Sequence, residues 1–130
     1  MKLLKSLFAI TLFFAINAVS AQAITDKWNA MNEYHALLYR AFQPAEEGNF
    51  SLIKSSSEEL VAKSDLLDVA TMPQELRTPK VEQTITLLKK QTKFVNDLVK
   101  NKAPNAEIMR AFENLYDIYN RIAQMSEPGR

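Results

Sequence analysis

The sequence contains no cysteine, two glycines, one histidine and one tryptophan in 130 residues. Without thiols there are no disulfides, no thiolate metal sites, no covalently attached c-type haem and no lipidated leader, because each needs a cysteine. Two glycines are too few for a turn-rich β architecture or for a glycine-rich loop that cradles phosphate. An excess of either charge is missing too. Sixteen Lys and Arg stand against 15 Asp and Glu, a formal charge of +1, which excludes a strongly basic nucleic-acid binder and an acidic tail protein. The patterns G-x-S-x-G, H-E-x-x-H and Glu-x-x-His do not occur, and no carboxylate pair sits in a catalytic context. The chain therefore reads as a non-enzyme. What is present is apolar material, 47% of the residues, enough to drive folding rather than disorder.

Residues 1–23 read MKLLKSLFAITLFFAINAVSAQA. Lys2 and Lys5 supply a positive start, Leu7 to Ile16 is apolar apart from Thr11, and small residues follow as far as Ala23. This is the tripartite order of a secretory signal peptide. Cleavage after Ala23 uses Ala21 and Ala23 as the small pair; cleavage after Ala21 uses Val19 and Ala21. The apolar run of about 10 to 13 residues is short of the roughly 20 that span a bilayer. The expectation is a periplasmic or secreted protein, not inserted in a membrane once the leader is removed. Its mature domain is 24–130, with 14 basic and 15 acidic groups.

Prolines divide that domain. Pro44, the pair Pro73 and Pro79, and Pro104 each separate long stretches in which apolar residues recur at three and four. The first stretch, 25–42, carries Ile24, Trp28, Met31, His35, Leu38 and Phe42, with Tyr34, Leu37 and Ala41 widening the face. The second, 50–70, begins after Asn49 as candidate N-cap and carries Phe50, Ile53, Ser57, Leu60, Ser64 and Leu67. The third opens with Thr78 as cap and Pro79 at the first helical position, then Val81, Ile85, Leu88, Thr92, Val95 and Leu98. The fourth starts near Asn105 with Ile108, Phe112, Leu115, Tyr119, Ile122 and Met125. Short connections make sequential helices antiparallel neighbours. The predicted fold is all-α, an up-down-up-down antiparallel four-helix bundle.

Function is sought where the stripes are broken. His35, the sole histidine, lies on the first stripe; it is either a ligand to a metal or haem iron, or a core histidine bonded to a polar neighbour. Ser57, Ser64 and Thr92 interrupt the second and third stripes. With His35 they either line a small polar cavity or sit at the edge of the face in water. Tyr116 and Tyr119, with Trp28, Tyr34 and Tyr39, either form an aromatic groove for a planar or apolar ligand or pack the bundle ends. Met31 is a thioether haem ligand or core filler. Glu46 and Glu47 precede a helix N-terminus, where they favour the dipole or lend oxygens to a cation. Lys89, Lys90 and Lys93 form a solvated basic spot.

A leader followed by four such helices, with Met31 in Trp28-Asn29-Ala30-Met31, resembles the periplasmic cytochrome b562 group and its haem-free relatives. That resemblance implies haem b held by a methionine early in the first helix and a histidine in the last. Here Asp117 stands where the histidine is expected, which points to a haem-free relative. The run Trp28, Tyr34-His35 and Phe42-Gln43-Pro44-Ala45-Glu46-Glu47-Gly48 is similar to small exported helical proteins with a histidine-rich first helix suggestive of metal binding. Gln43 replaces their second histidine, leaving His35 with Glu46 or Glu47. The leading expectation is an exported bundle, without cofactor, binding a protein partner or small molecule. The alternative is a divalent transition metal or haem b at His35, with Met31 or the loop carboxylates.

Overall fold

The computed structural model describes residues 27–125; the predicted leader, Ile24 and the residues after Met125 lie outside them. Among the described residues the chain is all-α, with no strand: α1 Asn29–Glu46, α2 Ser51–Asp65, α3 Pro79–Lys100 and α4 Asn105–Met125, plus a 3-10 turn at Gln74–Leu76. Each helix packs on the next in the chain, and α1 also meets α4. No helix among these residues is long and apolar enough to cross a membrane.

The buried face of α1 is Met31, Tyr34, Leu37, Leu38, Ala41 and Ala45. Its centre is one position over from the expected stripe: Tyr34 is fully buried, while His35 and Phe42 are only half-buried on the flank. The helix begins after Trp28, whose backbone is extended, and runs through Pro44 instead of stopping there. A proline this close to the end forfeits one backbone hydrogen bond, and its carbonyl then joins the stop signal. Asn49 N–H donates to Pro44 O at 2.9 Å and Gly48 N–H to Ala45 O at 3.0 Å. Gly48 takes the left-handed φ of 92° that this closure requires. The same closure ends α3, where Lys102 N–H reaches Val99 O and Ala103 N–H reaches Leu98 O. There a lysine occupies the left-handed position, at φ 58°.

Asn49 Oδ1 accepts the Ser51 N–H at 3.0 Å, so it serves the start of α2 from one residue outside the cap. That helix ends at Asp65, short of the expected residue 70. Leu66 and Leu67 turn their N–H groups to Lys63 O and Ser64 O, tightening the last turn. Residues 66–78 then fold over one end of the helices, burying Leu67, Met72 and Leu76 against the core. Trp28 Nε1 donates to Thr71 Oγ1 at 3.1 Å, tying that covering segment to the start of α1. The third helix follows expectation, with Thr78 Oγ1 accepting the Val81 N–H at 3.2 Å and Pro79 leading. Asn105 is the first residue of α4, and Pro104 O receives the N–H groups of Glu107 and Ile108. Ion pairs between helices, Lys63–Glu33 and Lys100–Glu58, lie at the surface and contribute little.

Candidate functional site

Three rings from α1 and three from α4 meet along one seam. On α1 they are His35, Tyr39 and Phe42; on α4 they are Phe112, Tyr116 and Tyr119. Spacings of four and three put each trio on one side of its helix. The α1 and α4 backbones come close at few points, so the rings fill the space between them. His35 and Tyr119 stack nearly parallel, with centroids 4.4 Å apart and planes 5° from parallel. Tyr116 meets His35 edge-on at 6.3 Å and packs on Phe42 at 4.8 Å. Tyr39 lies 6.2 Å from His35 and is 46% exposed, so the seam reaches solvent there.

Most buried polar groups behind the seam are satisfied. Thr92 Oγ1 donates to Leu88 O at 2.7 Å, which leaves its oxygen to accept the Tyr34 hydroxyl at 2.8 Å. Ser57 Oγ donates to Asn96 Oδ1 at 2.8 Å. Tyr119 is the exception. It is 1% exposed, and its hydroxyl alone among the described buried side-chain polar atoms has no hydrogen-bond partner. Such a group destabilises the fold by about 1–3 kcal/mol. Burial also pushes the Tyr116 phenol up to about 12, helped by the nearby Tyr39 and Glu46. Tyr34 and Tyr119 are raised as well, chiefly by burial. Burial lowers His35. Both effects favour neutral forms.

The structure separates residues that the sequence reading grouped. His35 makes no hydrogen bond to Ser57, Ser64 or Thr92 among the described residues; it stacks on Tyr119. Tyr34, one position earlier, is the residue that reaches Thr92. The physical reason is the one-position rotation of α1, which moves the histidine out to the flank. Ser64 Oγ turns back onto Val61 O within its own helix at 2.8 Å. Ser57 does border a cavity, with Ala41, Val95 and Phe112, but of only about 10 Å³, room for one water at most. Of the proposed pocket residues, Ser57 lines this cavity, while Ser64, Thr92, Tyr116 and Tyr119 do not. Met31 is fully buried one turn before His35 on the same helix. Glu46 and Glu47 are exposed at the far end of α1, about 16 Å of axial rise from His35. Among the described residues no three His, Cys, Asp or Glu side chains are grouped to hold a metal ion.

Phe42 and Phe112 were not singled out from sequence as members of the ring site, whereas Tyr39 was named with the aromatic groove; Asn96 was not named as the partner of Ser57. The signal for both phenylalanines was available: ring-bearing residues at 35, 39 and 42 and at 112, 116 and 119 have the same spacing. Comparison with protein-family models, curated proteins and solved structures found no match, and nothing in them identifies a cytochrome b562-like group.

Proposed function

We propose that the protein is an exported, non-catalytic antiparallel four-helix bundle of up-down-up-down topology, a haem-free relative of the cytochrome b562 group, that binds a partner or small ligand through the α1–α4 ring seam. The observation that carries this reading is the half-buried His35 stacked on Tyr119, whose hydroxyl is buried without a partner. Stripes of this kind are ordinarily closed by aliphatic packing with no polar loss; a polar group left unsatisfied marks a place where function outweighs stability. Helix order is supported by contact pairing, since 35 meets 119 while 42 meets 112, so α1 and α4 run in opposite senses. The leader sequence supports periplasmic export. Nucleic acid is not a partner of a chain with this charge balance.

The test is native mass spectrometry of the mature protein recovered after export, on wild type and on a Phe42→Ala, Tyr39→Ala pair. The expected result is a small molecule or protein retained by wild type and lost from the variant. No adduct on wild type, or the same adduct on both, overturns the seam as the site. A second reading, a transition metal or haem b at His35, is favoured by the absence of any hydrogen bond to its ring nitrogens among the described residues. Met31, Glu46 and Glu47 are the further donors that reading names. Elemental analysis and a scan for a Soret band, on wild type and His35→Ala, decide it.

A further inference from the structure

We infer that the ligand of the α1–α4 seam is a planar, uncharged aromatic molecule bearing a hydrogen-bond acceptor such as a carbonyl oxygen, seated against the His35–Tyr119 stack with the Tyr119 hydroxyl as donor. The inference rests on the seam being the binding site. Shape comes first. His35 and Tyr119 present nearly parallel plates with ring centroids 4.4 Å apart, flanked edge-on by Tyr116. Flat π-faces of this kind are extended or replaced by another flat ring, and poorly by a branched or spherical solute. Separability comes second. Among the described residues no side-chain hydrogen bond or ion pair joins α1 to α4, and their backbones approach at few points. Entry between the plates therefore breaks no side-chain hydrogen bond or ion pair among the described residues.

Charge and hydrogen bonding narrow the chemistry. The rings are held neutral, with Tyr116 pushed up to about 12 and His35 lowered, so nothing in the seam compensates a buried ion. Glu46 helps to raise the Tyr116 phenol, and a carboxylate at that end of the seam disfavours an anion. The unpartnered Tyr119 hydroxyl is a donor without an acceptor. A carbonyl oxygen on the ligand would remove that deficit, whereas a pure hydrocarbon would leave it in place.

The probe is fluorenone, compared with fluorene, which has the same outline without oxygen, and with a fluorenone carboxylate. Each is titrated into the full-length protein while the His35 and Tyr119 ring protons are followed by NMR. Fluorenone is expected to saturate and to shift both rings. Its affinity should fall about tenfold in Tyr119→Phe, the scale of one lost hydrogen bond. Fluorene should bind wild type and Tyr119→Phe alike, and the carboxylate should bind more weakly than fluorenone. Phenylalanine keeps the ring, so the fold is retained. No saturable shift of those two rings, or unchanged fluorenone affinity in Tyr119→Phe, overturns the ligand class. If that happens while native mass spectrometry still finds a seam-dependent adduct, the class falls and the site stands; if both fail, the site falls too.

Discussion

Between α2 and α3 a small polar pair sits among aliphatic residues, Ser57 meeting Asn96 at 2.8 Å while the two backbones run close together. Between α1 and α4 the facing residues are rings, the backbones stand apart, and a hydroxyl is left unpaired. Small side chains let helices approach until their backbones share the contact, and a buried hydroxyl–amide pair then fixes register. Rings hold helices apart and supply area without a unique hydrogen-bond pattern. The first interface is therefore built to stay shut. The second has its stability in plates that part without unpairing any side-chain hydrogen bond among the described residues.

Phe112 borders both regions, packing on Phe42 and lining the small cavity beside Ser57. Phe112→Ala should give the largest loss, about 3–5 kcal/mol in urea denaturation. Phe42→Ala, at a half-buried position, should lose less than half as much. Equal losses would show that the seam is as integral to the core as the α2–α3 interface, and the contrast would fail. At that other interface Ser57→Ala strands the Asn96 oxygen and should destabilise by about 1–3 kcal/mol. The double variant Ser57→Ala, Asn96→Leu removes both partners and should recover most of that loss. A strictly additive double variant would show that the pair is not coupled.

Tyr119→Phe should act in the opposite direction. Removing a hydroxyl that has no partner relieves its desolvation, so the variant should be more stable by about 1 kcal/mol, seen as a raised Tm. A destabilised Tyr119→Phe would mean that the hydroxyl finds a partner in solution, which would remove the main reason for placing function here.

The four helices were legible because each stripe repeats over several turns, and the Thr78-Pro79 start of α3 because cap chemistry is local. The end of α2 was not. Nothing in the local sequence marks Asp65 as a stop, and the turn at Leu66 depends on how Leu67, Met72 and Leu76 pack across the helix ends. The site was half legible. His35, Tyr116 and Tyr119 were picked out individually, but a stripe three residues wide tolerates a rotation of one position without changing its periodicity. That rotation decides whether Tyr34 or His35 looks inward. Only packing against α3 and α4, with Thr92 taking Tyr34, resolves it. Asn96 was missed because it lies beside the stripe position Val95, outside the a/d register.

The smallest expected effect is the pH response of the seam, and its sign separates the two regions once more. Burial lowers His35 from its ordinary 6.5, with Tyr39, Tyr116 and Tyr119 around it and no carboxylate bonded to it. The unfolded chain then binds the proton more readily than the folded one. Stability from this group is full above pH 6.5 and declines as pH falls through that value, levelling off below the folded pKa. At the alkaline end the sign reverses for the phenols. Tyr116 titrates near 10 unfolded and at about 12 folded, so stability declines as pH rises across that window. The Ser57–Asn96 pair contains no titratable group and contributes to neither limb. Urea midpoints of wild type and His35→Gln should therefore diverge below pH 6.5, with wild type losing more stability, and run parallel between pH 7 and 9. If wild type instead gains relative to His35→Gln on acidification, protonated His35 is stabilised by the Tyr119 face as a cation–π pair. The seam would then suit a cation, and the neutral-ligand assignment would have to be reversed.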